Sequence, residues 1–268
     1  PDMTHLMFNG KTMLRLGFLV CSFLFLSFQD ARATHIVGGN LTYRCLGPDQ
    51  GGNNVYEIRL TVRRDCYLGA GNAPFDDPAS VGFYDGTTHE LLTFLGGLNP
   101  GQLLIDLNNN DTLNEILVSD CSVIMGDVCV HTTTYLDTIT LPFRATGYTM
   151  AYQRCCRNES LNNVVTPLNT GMTLVAELSA FAQMQCNSSP QFNAFPPIYI
   201  CVNDTLKFNS FATDVENDSL VYTLCTPYAG GDMNFNMPQP PPSPPYPLVN
   251  FRPPYNLANI MGGMPLTI

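Results

Sequence analysis

The chain has no tryptophan, only two lysines, and 13% charged residues over a length of 268. Without an indole, any platform for stacking a sugar ring must rest on tyrosine or phenylalanine; exposed Tyr67 and Tyr84 would serve, and the competing reading is that both pack at the rim of the core. Basic residues number 12 against 22 acidic ones, a net charge of −10. Such a surface repels a phosphate backbone, which argues against nucleic acid as a partner. Catalytic signatures are missing as well. There is no Gly-x-Ser-x-Gly, no His-Glu-x-x-His and no Gly-x-x-x-x-Gly-Lys, so no catalytic residue is assigned and the chain is read as not an enzyme. A catalytic reading would need a cleft converging on paired carboxylates or on a histidine such as His89 or His131. No Cys-x-x-Cys occurs, and His35, His89 and His131 are not spaced as paired zinc ligands.

The front end is informative. Lys11 and Arg15 precede an uncharged run from Leu16 to Phe28, followed by Ala31-Arg32-Ala33. That run is shorter than the roughly 20 residues a stable membrane anchor needs, and Ala-x-Ala is a signal-peptidase site. Residues 1–33 are therefore read as a signal peptide with upstream overhang, the mature chain starting at Thr34. No second apolar stretch of spanning length follows. The expected location is secreted or at the cell surface.

Export changes how the ten cysteines are read, because thiols in an oxidising compartment tend to be bridged. Cys121 with Cys129 would close a short loop, Cys201 with Cys225 would staple two strands, and Cys45 with Cys66 would bridge a hairpin. The adjacent Cys155 and Cys156 would face opposite sides of a strand and reach two different partners.

The periodicity is that of strands. Tyr56, Ile58, Leu60 and Val62 alternate with polar residues, as do Leu41, Tyr43 and Cys45, Tyr148, Met150 and Tyr152, Met172 to Leu178, and Leu220, Tyr222 and Leu224. Thr132 to Leu141 is rich in β-branched residues. Gly51-Gly-Asn-Asn54, Asn108-Asn-Asn-Asp111 and similar runs mark turns. The expected fold is all-β, two tandem immunoglobulin-like β-sandwiches: residues 34–185, then 186–268 with the second sandwich incomplete at its C-terminal end. Pro238 to Pro247 holds seven prolines and reads as an extended loop or an edge crossing between strands.

Several segments resemble, in order, a family of large exported Bacteroidetes surface proteins. They are Ala33-Thr-His-Ile-Val-Gly-Gly39, Leu41 to Cys45, Arg64 to Tyr67, Pro74-Phe-Asp-Asp-Pro-Ala-Ser80, Tyr152-Gln-Arg-Cys-Cys-Arg-Asn158, Asn187 to Phe192, Phe195 to Ile198, and Ala212-Thr-Asp214 through Tyr228. Members of that family carry immunoglobulin- or cadherin-like modules and a C-terminal type IX secretion, gliding-motility-associated sorting domain. The resemblance implies a non-catalytic structural or adhesion protein. Its partners would be an extracellular protein or glycan surface and neighbouring domains of the same longer chain. The alternative is an accessory or carbohydrate-binding module of a larger secreted enzyme.

Asp214-Val-Glu216-Asn-Asp218 is the candidate metal loop. Its three alternating carboxylates offer hard oxygen ligands to Ca2+. The loop resembles the acidic motif of cadherin-like modules, with Asn187 to Phe192 leading into the domain. It departs from the common form at Glu216 and Asn217, where Asp and Gly usually stand; the competing reading is a solvated acidic turn.

Overall fold

Alternation from Leu41 to Val62 folds as one long antiparallel hairpin, β1 (Ile36–Pro48) against β2 (Asn54–Asp65), with Tyr43 opposite Ile58 and Leu41 opposite Leu60. Its turn is closed by Asp49, whose Oδ1 accepts from the amides of Gly51 (2.8 Å) and Asn53 (2.9 Å). Gly52 takes the positive φ of 82° that this turn requires. The remaining strands are β3 (Ala79–Asp85), β4 (Gln102–Ile105), β5 (Asn110–Leu113), β6 (Val130–Leu141), β7 (Tyr148–Arg154), β8 (Met172–Leu178), β9 (Gln191–Phe192) and β10 (Ala212–Thr213). A computed structural model supplies these coordinates and describes residues 36–66, 74–93, 100–107, 110–113, 130–197 and 207–263. Residues 1–33, expected to be a signal peptide, and Tyr67, Cys121, Cys129 and Cys201 lie outside them.

Two four-stranded antiparallel sheets, ordered β1-β2-β6-β5 and β4-β3-β7-β8, face each other across one core. The fold is an all-β sandwich, as expected from the period-two pattern. Tyr56, Ile58 and Leu60 of β2 meet Val81 and Phe83 of β3 and Met150 of β7, all fully buried. Burying each such side chain contributes roughly 1.5–3 kcal/mol.

Alternation fails in the second sheet, where every residue of β3 and of β7 is buried. A strand buried on both faces needs a cover on each, and here the second cover is the proline-rich arm, residues 226–252. Thr173 Oγ1 donates to the Ala229 carbonyl (2.8 Å), the Cys155 amide to the Asn236 carbonyl (2.9 Å), and Gln239 donates back to the Pro78 carbonyl (3.3 Å). The Tyr84 hydroxyl donates to the Pro241 carbonyl. The arm then turns back, with the amides of Ala229 and Val249 donating to Pro247 and Pro227. Proline has no N–H and cannot join a sheet as a full partner. The arm accordingly docks mainly through its carbonyls, and the sandwich supplies the donors.

Where a second sandwich is expected, the described residues beyond Cys186 hold only the β9–β10 ribbon as paired strands. Leu220 to Leu224, expected as a strand, is irregular and largely exposed. Among the described residues no second sheet lies there to bury one of its faces, and the Tyr222 hydroxyl is used locally, accepting from the Ala212 amide at 2.9 Å. Ala33–Ile268 hold together as one compact unit.

The cysteine pairing also differs from expectation. Cys45 bonds Cys186, with Cα atoms 5.4 Å apart, rather than Cys66. The hairpin register explains why: Cys45 sits opposite Tyr56 near the turn, whereas Cys66 follows the last residue of β2 at the open end. Ten strand residues at about 3.3 Å each separate the two positions, far beyond disulfide reach. Cys66 is itself disulfide-bonded. Cys155 and Cys156 bond each other across a cis peptide. Because β7 ends at Arg154, the alternation that would send the two to opposite faces stops before it reaches them. Cys225, expected to pair with Cys201, is an exposed free thiol.

Candidate functional site

The most elaborate surface construction is the turn that follows β3. Asp85 is buried, and its Oδ1 accepts from the amides of Thr87 (2.9 Å) and Thr88 (2.8 Å). Its Oδ2 accepts from Arg144 Nη1 at 2.8 Å and from the Thr146 hydroxyl at 2.5 Å. The Thr146 hydroxyl first, then the Thr88 and Thr87 amides, and Arg144 to a lesser degree, hold the carboxyl well below the usual carboxylate range. The backbone closes around the same residue, since the Asp85 carbonyl accepts from the His89 amide (3.0 Å) and its amide donates to the Glu90 carbonyl (2.9 Å). This places His89 at φ 61°, in the left-handed region. Such a conformation costs a non-glycine residue roughly 1–2 kcal/mol and persists only when its surroundings impose it.

Arg144 is fixed in turn by the short helix α1 (Ala180–Gln185). Buried Gln183 accepts from the Arg144 amide (2.8 Å) and donates to its carbonyl (3.1 Å). The helix starts on Ser179, whose Oγ accepts from the Ala182 amide, and ends at Cys186, which adopts φ 50°. One chain of contacts therefore runs from the Cys186 end of the helix through Gln183 and Arg144 to the Asp85 turn.

Between that turn and the proline arm lies an open groove of about 550 Å³. Tyr84, Thr88, His89, Glu90 and Leu91 form one wall, and Pro241, Ser243, Pro244 and Pro245 the other. Tyr84 packs inward rather than offering an exposed face for stacking. It is 1% exposed, and burial pushes its hydroxyl far above the ordinary tyrosine range. His131, the other histidine singled out, lies on β6 beside Arg64 (3.4 Å), and burial followed by the Arg64 charge lowers its pKa.

A second assembly gathers the acidic loop. Asp214, Glu216 and Asp218 are brought to the segment after Cys186. Ser188 donates to Glu216 Oε1 (2.8 Å), Asn187 donates to Asp218 Oδ2, and Asp214 Oδ1 accepts from the Asp218 amide (2.9 Å). Asn217, standing where glycine is usual, takes φ 64°. The same segment lies beside β1: the Ser189 amide donates to the Tyr43 carbonyl (2.8 Å), and Ser188 and Ser189 Oγ accept from the amides of Cys45 and Tyr43. Burial, then Tyr56, then Glu216 and Asp214 push the Tyr43 hydroxyl up to about 12. Each carboxylate of the loop thus satisfies a different donor. Among the described residues no three His, Cys, Asp or Glu side chains are grouped so as to hold a metal.

The Asp85 turn was not singled out from sequence. Asp85-Gly-Thr-Thr is nonetheless a legible turn start, in which aspartate caps the amides that follow it. What sequence could not supply is the arm that forms the second wall. No family model, no curated protein and no solved structure matches this chain.

Proposed function

We propose that the chain is a non-catalytic structural or adhesive segment of an exported cell-surface protein, acting on an extracellular protein or glycan surface beside further modules of the same polypeptide. The observation that carries this reading is the Cys45–Cys186 bond, which ties the first strand to the end of α1 across 141 residues. Bonds of this kind persist in oxidising compartments, which accords with the signal-like front end. The resemblance to Bacteroidetes surface proteins with a type IX secretion sorting domain supports the same location.

The test is expression of the full chain in a bacterium with an outer membrane, followed by protease shaving of intact cells and non-reducing peptide mapping. A Cys45–Cys186 cross-linked peptide from a surface-exposed or secreted product is the expected result. A cytoplasmic chain with both thiols reduced would overturn the reading. The groove beside the Asp85 turn favours a second reading, an accessory module of a secreted enzyme that holds a glycan for a catalytic domain elsewhere.

A further inference from the structure

We infer that the groove between the Asp85 turn and the proline arm binds a neutral saccharide of one or two rings. This rests on the surface-module reading and names the ligand such a module would take. A pyranose presents an aliphatic C–H face bordered by hydroxyls that both donate and accept. The groove is walled in the same mixed way. Leu91 and the pyrrolidine rings of Pro244 and Pro245 offer apolar surface, while Thr88, His89, Glu90 and Ser243 offer hydroxyl, imidazole and carboxylate groups. Its volume of about 550 Å³ lies within the range of small-molecule clefts.

Charge narrows the class. Among the described residues no lysine or arginine lines the groove, and Glu90 sets a negative charge in it, on a chain of net charge −10. Uronic acids, phosphorylated sugars and peptide carboxylates would meet like charge without compensation. A basic peptide is the rival ligand. It finds only one carboxylate among the nine lining residues, whereas a polyol can use every polar group present.

The wall is also built in advance. The Thr87 and Thr88 amides, the Thr146 hydroxyl and Arg144 all converge on Asp85, and the closed backbone imposes the left-handed conformation of His89. A ligand therefore does not have to order the turn that receives it, which matters for a weakly held sugar. Strain held at an exposed turn, facing a groove, is the kind of outlier that points to a site.

The test is titration of the full chain, followed by amide NMR, with glucose, galactose, mannose, N-acetylglucosamine and their β-linked disaccharides. Glucuronate and trilysine serve as charged comparisons. Shifts confined to the amides of residues 88–91 and Ser243 with at least one neutral sugar are expected, with weaker response to glucuronate. His89→Gly keeps the turn, because glycine accepts positive φ without strain, and should weaken binding about tenfold, as should Glu90→Gln; each lost polar contact of about 1.4 kcal/mol is a tenfold change. Arg59→Ala, on the outer face of the first sheet, should leave binding unchanged. The assignment is overturned if no neutral sugar perturbs the groove, if trilysine alone does, or if Glu90→Gln and His89→Gly bind as the parent does. A surface-exposed, disulfide-bonded chain with a silent groove would sink this inference and leave the surface reading standing; a reduced cytoplasmic chain whose groove still responds to a neutral sugar would sink the surface reading and leave the saccharide site.

Discussion

Arg154 Nε lies 2.9 Å from Asp76 Oδ1 with both side chains buried, and this ion pair joins the end of β7 to the segment entering β3. Asp76 is held further by the Tyr152 hydroxyl, which donates to Oδ2 at 2.8 Å, while its carbonyl accepts from the Tyr135 hydroxyl at 2.7 Å. Removing one partner of a buried pair strands the other charge, which typically costs about 3–5 kcal/mol. Arg154→Met and Asp76→Asn should each destabilise by about that amount in urea unfolding, and the double variant by clearly less than the sum. The pH response gives the sign. Burial raises the Asp76 pKa against the opposing Arg154 and Tyr152, so its contribution is fullest below the ordinary carboxylate range and is lost as pH rises through the folded value. In Arg154→Met the main opposing charge is gone, and stability should recover as pH falls.

Asp85 has the opposite sign. Its pKa is lowered, chiefly by the Thr146 hydroxyl and the Thr88 and Thr87 amides. Its contribution is present above the ordinary carboxylate pKa and is lost as pH falls through the depressed folded value. Thr146→Val removes the first of these contacts, so its acid unfolding, followed by circular dichroism, should begin at a higher pH than the parent's.

The Cys45–Cys186 bond closes a loop of 141 residues. On the loop-entropy scale a closure of that size contributes about 3–5 kcal/mol. Cys186→Ser should lower the denaturant midpoint accordingly and steepen the slope, because the unfolded chain loses its cross-link and exposes more surface, and a parent that melts identically with and without reductant would contradict this.

The proline arm depends on two glycines. A Cβ on Gly171 would collide with the Gly230 carbonyl, and one on Gly230 with the Thr173 hydroxyl and the Gln153 side chain. Gly171→Ala should therefore lift the arm from β7 and β8. Limited proteolysis would then cut within residues 226–250 several-fold faster while the sandwich core persists; an unchanged cleavage rate would mean that the arm is not held there.

Calcium can be separated from hydrogen bonding at the acidic loop. Because Ser188, Asn187 and the Asp218 amide already satisfy Glu216, Asp218 and Asp214, thermal melts of the full chain in calcium and in chelator should coincide. A clear rise of the melting temperature in calcium would instead support the metal reading of Asp214, Glu216 and Asp218.

Local pattern was enough for the strands that form the core. Tyr56 to Val62 and Met172 to Leu178 alternate because one face of each strand meets the opposite sheet, and a period of two records that directly. It was not enough for Leu220 to Leu224, where the same alternation occurs without a sheet to bury it. Nor could it distinguish β3 and β7 from one-sided strands, because their second cover comes from residues more than seventy positions further along the chain.

Composition and residue order alone determined the all-β class, the turn at Asp49 to Asn53, the acidic balance and the export-like front end. These are consequences of side-chain period, turn stereochemistry and charge, which act over a few residues at a time. Only the tertiary structure decided that Cys45 meets Cys186, that Asp76 meets Arg154, and that Pro241 to Pro245 stand opposite His89 and Glu90. Those relationships depend on the hairpin register and on the path of the arm. Both are settled by what must be buried across the whole sandwich, and no short stretch of the sequence contains that information.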